Sequence, residues 1–447
     1  MKRTLIFYIA LVCIGANQLY AQEEVKSGGK TMTLQDCLRY GLEHNYSVRL
    51  IKNAQEQSDN AANVANAGLL PNVNISGGYG LDLNSSKTKQ SADGATSSIH
   101  NSLDQSLNIG LQLDWTLFDG FSLWTNYRQL QLLQQQGELH TRIVIEDYIA
   151  SLTAEYYNFV QQRIRLKNFR YAVKLSKERM RIVEERYHIG NFSRLDYQQA
   201  KVDFNADSAA YMRQQEALKT SCIRLNELMA MEDVTQRLHI PDTAINVMVT
   251  LDHDVLMQSM YAINSNLLKA QQDEKLSKMD LKKVLSRNYP YVKLNGGYGY
   301  TWNKYEISNT NRRTNWGPNI GLTVGFNLFD GKRRTDRKNA RIDVESAKLE
   351  RENIELTLVA DMQNLWQAYQ NNVQVLDLER QNLIAAIENH EIASERYLLG
   401  DLSGFEMREA QKSLLDAEER ILKAEYETKM CEISLLQLSG NIMMYLR

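Results

Sequence analysis

The chain has 447 residues, 52 of them Lys or Arg and 54 Asp or Glu, a formal charge of −2 and only four prolines. So small a net charge, with no basic stretch that points to nucleic acid, excludes an electrostatically driven nucleic-acid binder. Scarce proline with abundant Leu, Gln, Glu, Lys and Ala favours long uninterrupted helices.

The chain opens Met1-Lys2-Arg3, runs apolar from Leu5 to Ile14, and reaches Leu19-Tyr20-Ala21 before Gln22. A basic start, a short apolar core and a small residue predict a secretory signal peptide over 1–21, cleaved after Ala21. The run is too short to span a bilayer as a helix. Losing Lys2 and Arg3 takes the charge of the exported chain from −2 to −4. Cys37, Cys222 and Cys431 remain, an odd set, far apart on helical stretches. They read as packed thiols rather than a disulfide framework.

The rest of the chain is written twice. Leu70-Pro71-Asn72-Val73 through Gly77-Gly78-Tyr79-Gly80 matches Tyr289-Pro290-Tyr291-Val292 through Gly296-Gly297-Tyr298-Gly299. Leu117-Phe118-Asp119-Gly120 recurs as Leu328-Phe329-Asp330-Gly331. Arg186-Tyr187-His188-Ile189-Gly190-Asn191-Phe192-Ser193 recurs as Arg396-Tyr397-Leu398-Leu399-Gly400-Asp401-Leu402-Ser403. So long a period implies duplication of a half-molecule, 22–240 and 241–447, within one continuous body.

Each half predicts the same plan. A helix comes first, over 34–69 and 255–285, stopped before Pro71 and Pro290. Two strands follow. Leu107, Ile109, Leu111, Leu113, Trp115 and Leu117 share one face, and Ile320, Leu322, Val324, Phe326 and Leu328 repeat the pattern. Val73, Ile75 and Tyr79, and Val292, Leu294, Tyr298 and Tyr300, alternate in the partner strands. Period two with one apolar and one polar face means a sheet between two media. Strands of about 10 to 12 residues match a tilted membrane-spanning strand. Trp115, Phe118, Tyr298, Tyr300, Trp302, Trp316 and Phe326 near the strand ends suit a bilayer interface. Four strands cannot close around water, and an open edge cannot face lipid. Several copies must therefore each donate a stave, and three would give about twelve strands. The connections 84–102 and 303–315 read as external loops.

Two long helices close each half, meeting at Gly190 or Gly400. About 70 proline-free residues before Gly190 amount to roughly 100 Å of helix. Leu152, Phe159, Leu166, Val173, Met180 and Tyr187 recur every seven residues, as do Met362, Tyr369, Leu376, Leu383, His390 and Tyr397. The descending arms give Tyr197, Phe204, Tyr211, Leu218 and Leu225, then Met407, Leu414, Ile421, Thr428 and Leu435. Such seams predict coiled-coil packing.

Two copies of helix, strand, strand and long hairpin, with Trp115-Thr116-Leu117-Phe118-Asp119-Gly120 at a strand-to-helix joint, resemble the TolC-type outer-membrane efflux channels. The tip segments Tyr187-x-x-Gly190-x-x-Ser193 and Tyr397-x-x-Gly400-x-x-Ser403 resemble that family too. The resemblance covers nearly the whole exported chain. It implies a mainly α fold with membrane β: a homotrimer with a twelve-stranded barrel in the outer membrane of a Gram-negative bacterium, continued by a helical tube through the periplasm. It implies docking onto a periplasmic adaptor (membrane fusion) protein and an inner-membrane pump of the RND or ABC type. The entrance would be closed at rest.

At the tips, Gly190 and Gly400 supply the positive φ that ends a helix. Ser193 and Ser403 can cap the next, and Ser193-x-x-Asp196 and Ser403-x-x-Glu406 have capping-box spacing. The resemblance adds a second reading of those carboxylates. An acidic residue at the position of Asp196 would hydrogen-bond a tyrosine at Tyr397, and acids at Glu406 and Glu409 would ring the aperture and favour cations. The family's tip arginine is replaced by Leu402, so its salt bridge has no counterpart there. Phe192 and Leu402 read as exposed turn residues, as the family's adaptor contacts are.

No phosphate loop, His-Glu-x-x-His, metal-ligand spacing or serine elbow is present, so neither an enzyme nor a metal or cofactor site is expected. Three functions fit: a duct for small toxic compounds, a duct for secreted polypeptides, and a non-conducting structural envelope protein.

Overall fold

The structure, a computed structural model, describes residues 31–89, 96–190, 192–248, 251–307 and 310–446; the predicted signal peptide lies outside them. In chain order it contains α1 (Leu34–His44), α2 (Tyr46–Ala61), β1 (Asn72–Lys89), β2 (Thr96–Asp119), α3 (Ser122–His188) and α4 (Arg194–Leu228). The second copy gives α5 (His253–Ile263), α6 (Ser265–Ser286), β3 (Tyr291–Lys304), β4 (Arg312–Gly325), α7 (Gly331–Leu399) and α8 (Gly404–Leu438), then a 3-10 turn, Ile442–Leu446.

The single opening helix expected in each half is two helices, broken at Asn45 and at Asn264. Asparagine competes with helical backbone bonding, and here each copy uses that property twice. Asn45 Oδ1 accepts from the Ser47 and Val48 N–H groups, while Nδ2 donates to the Leu228 carbonyl at 2.9 Å. Asn264 Oδ1 accepts from Leu267 N, and Nδ2 donates to the Leu438 carbonyl at 2.8 Å. Leu228 and Leu438 end α4 and α8. Each asparagine thus joins the start of a short helix to the end of a long one, a head-to-tail contact that suits both macrodipoles. The first of these helices stops at Ala61 rather than near residue 69, because Asn63 and Asn66 fold the following residues into turns.

The joined pairs run along most, but not all, of the length of the unbroken helices. α3 has 67 residues and α7 has 69, each about 100 Å. α4 and α8 have 35 residues each, so α2 and α6 extend the return path. From their contacts, the order around the bundle is α2/α4, α3, α6/α8, α7. A layer of α1, α5, the 229–248 connection and the 3-10 turn packs against the middle of this bundle. Its apolar core includes Leu38, Ile149, Leu152, Tyr156, Leu225, Met260, Met362 and Leu435. Inside it, Lys429 pairs with Glu432 at 2.6 Å, and Glu432 also accepts from Tyr445 Oη and Met248 N. Both oxygens of Glu432 are thus bonded, and the Lys429 ammonium also lies over the Tyr157 and Tyr445 rings, which offsets the cost of burying the pair.

The strands form one antiparallel sheet, ordered β1-β2-β3-β4. Ile75 opposes Leu111, Leu111 opposes Tyr298, and Leu294 opposes Leu322, so one face is apolar across all four strands. The reverse face pairs Asn74 with Gln112, Asn108 with Thr301 and Asn295 with Asp114. Both faces are largely exposed within the single chain. The strands have 18, 24, 14 and 14 residues, longer than expected, and much of both expected loops is strand. Described residues Asn84–Lys89 and Thr96–Ser102 extend the β1–β2 hairpin beyond β3, where residues 90–95 lie outside the description. At the other end, β4 stops at Gly325, short of Leu328.

The repeated Asp-Gly motif makes the strand-to-helix joints. Asp330 Oδ1 accepts from Lys332 N and caps α7; Asp119 Oδ1 accepts from Leu123 N at the start of α3. Gly120 has φ +72°, and a Cβ there would stand 2.3 Å from the Ser286 carbonyl oxygen. Trp115 Nε1 donates to the Leu69 carbonyl and ties β2 to the preceding turn.

Candidate functional site

Both hairpin ends are built alike. Gly190 and Gly400 have φ of +82° and +90°, and a Cβ at either position would meet nothing within 4 Å, so backbone conformation and not space selects glycine. Ser193 Oγ accepts from Asp196 N at 3.2 Å, and the Asp196 carboxylate accepts from Ser193 N at 3.0 Å. Ser403 and Glu406 repeat this with the same distances. The capping-box spacing therefore closes as two capping boxes. Bonding from Ser403 holds the Glu406 carboxyl below its ordinary value. Glu409 is exposed one turn further on.

Tyr397 is buried against Ala393, Met407 and Ala410, and its hydroxyl has no hydrogen-bond partner among the described residues. Burial raises its pKa, and the Asp196 charge adds to the rise against Arg186 and Arg179. Asp196 and Tyr397 therefore feel each other through space, but the bond that the resemblance implies is not formed; the capping box holds the carboxylate. Arg186 binds this corner instead. Its Nη2 donates to the Tyr397 and Leu398 carbonyls at 3.3 Å, and its guanidinium lies over the Phe192 and Tyr397 rings. It brings a cation from α3 to the C-terminal end of α7, where the helix dipole welcomes one.

Two expected exposures are corrected. Phe192 is half-buried beneath Arg186, and Leu402 packs on the Tyr397 cluster. The large apolar side chains exposed at the tips, among the described residues, are Ile189, Leu195, Leu398, Leu399 and Phe405. Leu399 and Ile189 stand beside the turn glycines, a placement the tip motif already contained.

Behind the tips lies a group that heptad reasoning missed. Asp203 on α4 is 7% exposed as a side chain, as is Arg179 on α3, and Arg179 Nη2 donates to its Oδ2 at 2.7 Å. Arg408 on α8 reaches Asp203 Oδ1 at 3.0 Å, and Gln199 Nε2 donates to the same oxygen at 3.0 Å. One carboxylate thus binds three helices and both hairpins. Farther up, Arg165 Nε donates to Glu419 Oε2 at 2.9 Å and Gln161 Nε2 to the Leu422 carbonyl, again joining α3 to α8. A cavity of about 340 Å³ lies between these contacts, lined by Phe169, Ala172, Arg179, Asp203 and Leu415 among others. Burial lowers the Arg179 pKa and raises that of Asp207 beside it. The signal for this group is the 4-3-4 spacing of Ala172, Ser176, Arg179 and Val183, all buried.

Among the described residues no group of His, Cys, Asp and Glu is placed to hold a metal, and no helix is long and apolar enough to cross a membrane. Among the described residues Cys37, Cys222 and Cys431 are free, and burial pushes the Cys37 thiol up to about 12.

The outer membrane efflux protein family matches residues 40–230 and 256–441. Outer membrane protein TolC of Vibrio cholerae is 20% identical over 394 residues, 86% of this chain and 84% of that protein. The fold also matches solved structures. A membrane protein from Pseudomonas aeruginosa has a TM-score of 0.75 and 17% identity, over 91% of this chain and 90% of that one. The outer membrane protein VceC from Vibrio cholerae has a TM-score of 0.73 and 15% identity, over 91% and 96%. With most of its length matched in two segments, the chain belongs to the outer membrane efflux protein family.

Proposed function

We propose that three copies of this chain, each freed of residues 1–21 on export, form a passive outer-membrane duct in a Gram-negative bacterium. It takes small toxic compounds from a periplasmic adaptor and an inner-membrane RND or ABC-type pump and releases them outside. The observation that carries this reading is the sheet: one apolar face, one polar face, and free edges on β1 and β4, joined to helices of about 100 Å. Lipid tolerates no open edge, so the edges of neighbouring copies pair, and twelve strands leave room for water. The helices support the same closure. Ile342, Leu349 and Leu356 recur every seven residues along α7 and are exposed, as are Leu195 and Val202 on α4 and Tyr46 and Leu50 on α2. α7 of one copy meets α2/α4 of the next.

The hairpin ends are the periplasmic entrance. Asp196, Glu406 and Glu409, repeated three times, concentrate negative charge and favour cations. Tyr397 and the Arg179–Asp203–Arg408 group hold the two hairpins of each copy together in the closed state. Ile189, Leu399 and Phe405, beside Gly190, Phe192, Ser193, Gly400, Leu402 and Ser403, offer the adaptor its contact.

Protein extracted from membranes tests this. A particle with the mass of three chains that gives small, cation-selective currents in a planar bilayer is expected. A water-soluble single chain without currents overturns the reading and favours the structural envelope protein.

A further inference from the structure

The start of α7 carries charge that the fold does not ask for. Lys332-Arg333-Arg334-Thr335-Asp336-Arg337-Lys338-Asn339-Ala340-Arg341 holds six cations and one acid. Arg333 donates to the Asn327 carbonyl and Asp336 pairs with Arg287, so these two serve the joint. Lys332, Arg334, Arg337, Lys338 and Arg341 are exposed and have no acidic partner among the described residues. Cations in the first turns of a helix oppose its dipole. The matching positions of the first copy, Leu123, Asn126, Tyr127 and Leu130, carry no charge, and that joint forms all the same.

Helix geometry gives the direction of this patch. Arg341 and Val359 are 18 residues apart, about five turns, and Arg334 and Trp366 each lie seven residues beyond, so all four share one face of α7. Val359 and Trp366 pack against the layer that contains α5, and Trp366 lies 5.4 Å from the His253 ring. In a duct that layer lies outside, because inside it would block the lumen. The basic face therefore points outward. It also begins where the sheet ends, just past Leu328 and Phe329, which are 87% and 89% exposed. Exposed apolar and aromatic side chains followed by cations within roughly 15 Å along the helix match the order of acyl chain, interface and headgroup.

We infer that Arg334, Arg337, Lys338 and Arg341 form a docking surface for anionic phospholipid headgroups of the periplasmic leaflet, with Leu328 and Phe329 seated in the acyl region above. The inference rests on the sheet lying in the membrane. In a trimer, three such patches alternate with three joints of far lower charge, where the matching stretch carries only Arg128, which fixes the depth of the barrel and gathers anionic lipid around it.

The test uses the full chain reconstituted in phosphatidylethanolamine vesicles with or without phosphatidylglycerol, followed by gentle extraction and native mass measurement of retained lipid. The wild type is expected to retain phosphatidylglycerol about tenfold better than the R334Q/R337Q/K338Q/R341Q variant. The R334K/R337K/R341K variant keeps the charge and is expected to behave as wild type, which separates lost binding from lost folding. Equal retention by wild type and the glutamine variant overturns the inference while leaving the duct intact. So does displacement of the lipid by inorganic phosphate, which marks a free-anion site. Protein that floats with neither vesicle overturns the membrane reading and this inference with it.

Discussion

The two hairpins share one design and are closed by different chemistry. In the second, α7 and α8 meet through Leu376, Ala386, Ala393, Tyr397, Met407, Leu414 and Ala417, an apolar seam interrupted by His390. In the first, the far halves of α3 and α4 bury Ser176, Arg179, Asp203 and Gln214 beside the small apolar Ala172, Val183 and Ala200. Apolar contact loses energy gradually as packing loosens, whereas a buried carboxylate that loses its partners leaves an uncompensated charge. The first hairpin is thus held in part by a set of charged bonds, and through Arg408 that set also grips the second.

Removing the charge breaks the comparison most directly. Asp203→Asn removes the buried carboxylate that Arg179 and Arg408 both bond, a loss of about 3–5 kcal/mol. The melting temperature is expected to fall, and the first hairpin to become the more rapidly exchanging one by hydrogen exchange. Leu414→Ala in the apolar seam is expected to lower stability by about 2–5 kcal/mol while leaving exchange of the first hairpin near that of wild type. Equal exchange in both hairpins of either variant would erase the distinction. Asn45→Ala and Asn264→Ala sharpen it from the other side. Both copies use the same bracket, so each is expected to lose about 1–2 kcal/mol, alike within error in a thermal melt.

The smallest effect concerns acid. The Glu406 carboxyl is held below its ordinary value by Ser403, so its folded pKa lies below the unfolded one. Its contribution is present above the unfolded pKa and lost as pH falls through the folded value. Ser403→Ala is therefore expected to lower the melting temperature at neutral pH and to differ less from wild type at pH values below the ordinary glutamate range. A constant difference at all pH values would assign the cap to the serine alone.

Much of this was legible in the sequence. Pro71 and Pro290 stop helices, alternating apolar residues write the sheet, and Gly190 and Gly400 mark the reversals, because each follows from local geometry. The heptads of α7 at Met362, Tyr369, Leu376, His390 and Tyr397 are all buried. Those of α3 hold at Leu152 and Phe159, then yield to Ala172, Ser176, Arg179 and Val183. A helix of 3.6 residues per turn drifts against a period of seven, and α3 must face α4 and α8 at once. The breaks at Asn45 and Asn264 were not legible, since the carbonyls that select them lie far along the chain. Nor was the burial of Phe192 and Leu402, which depends on Arg186 and the Tyr397 cluster. The basic run after Gly331 was passed over in the sequence, where the small net charge hides it, and it gains meaning only from the face of α7 that it occupies.

The central claim, a duct closed by its hairpins, is tested most directly by single-channel recording of wild type and Asp203→Asn in planar bilayers. Small, mostly closed currents from wild type and larger, longer openings from the variant are expected. Currents that are the same size in both would contradict the closing role of Asp203, and no current from either would contradict the duct itself.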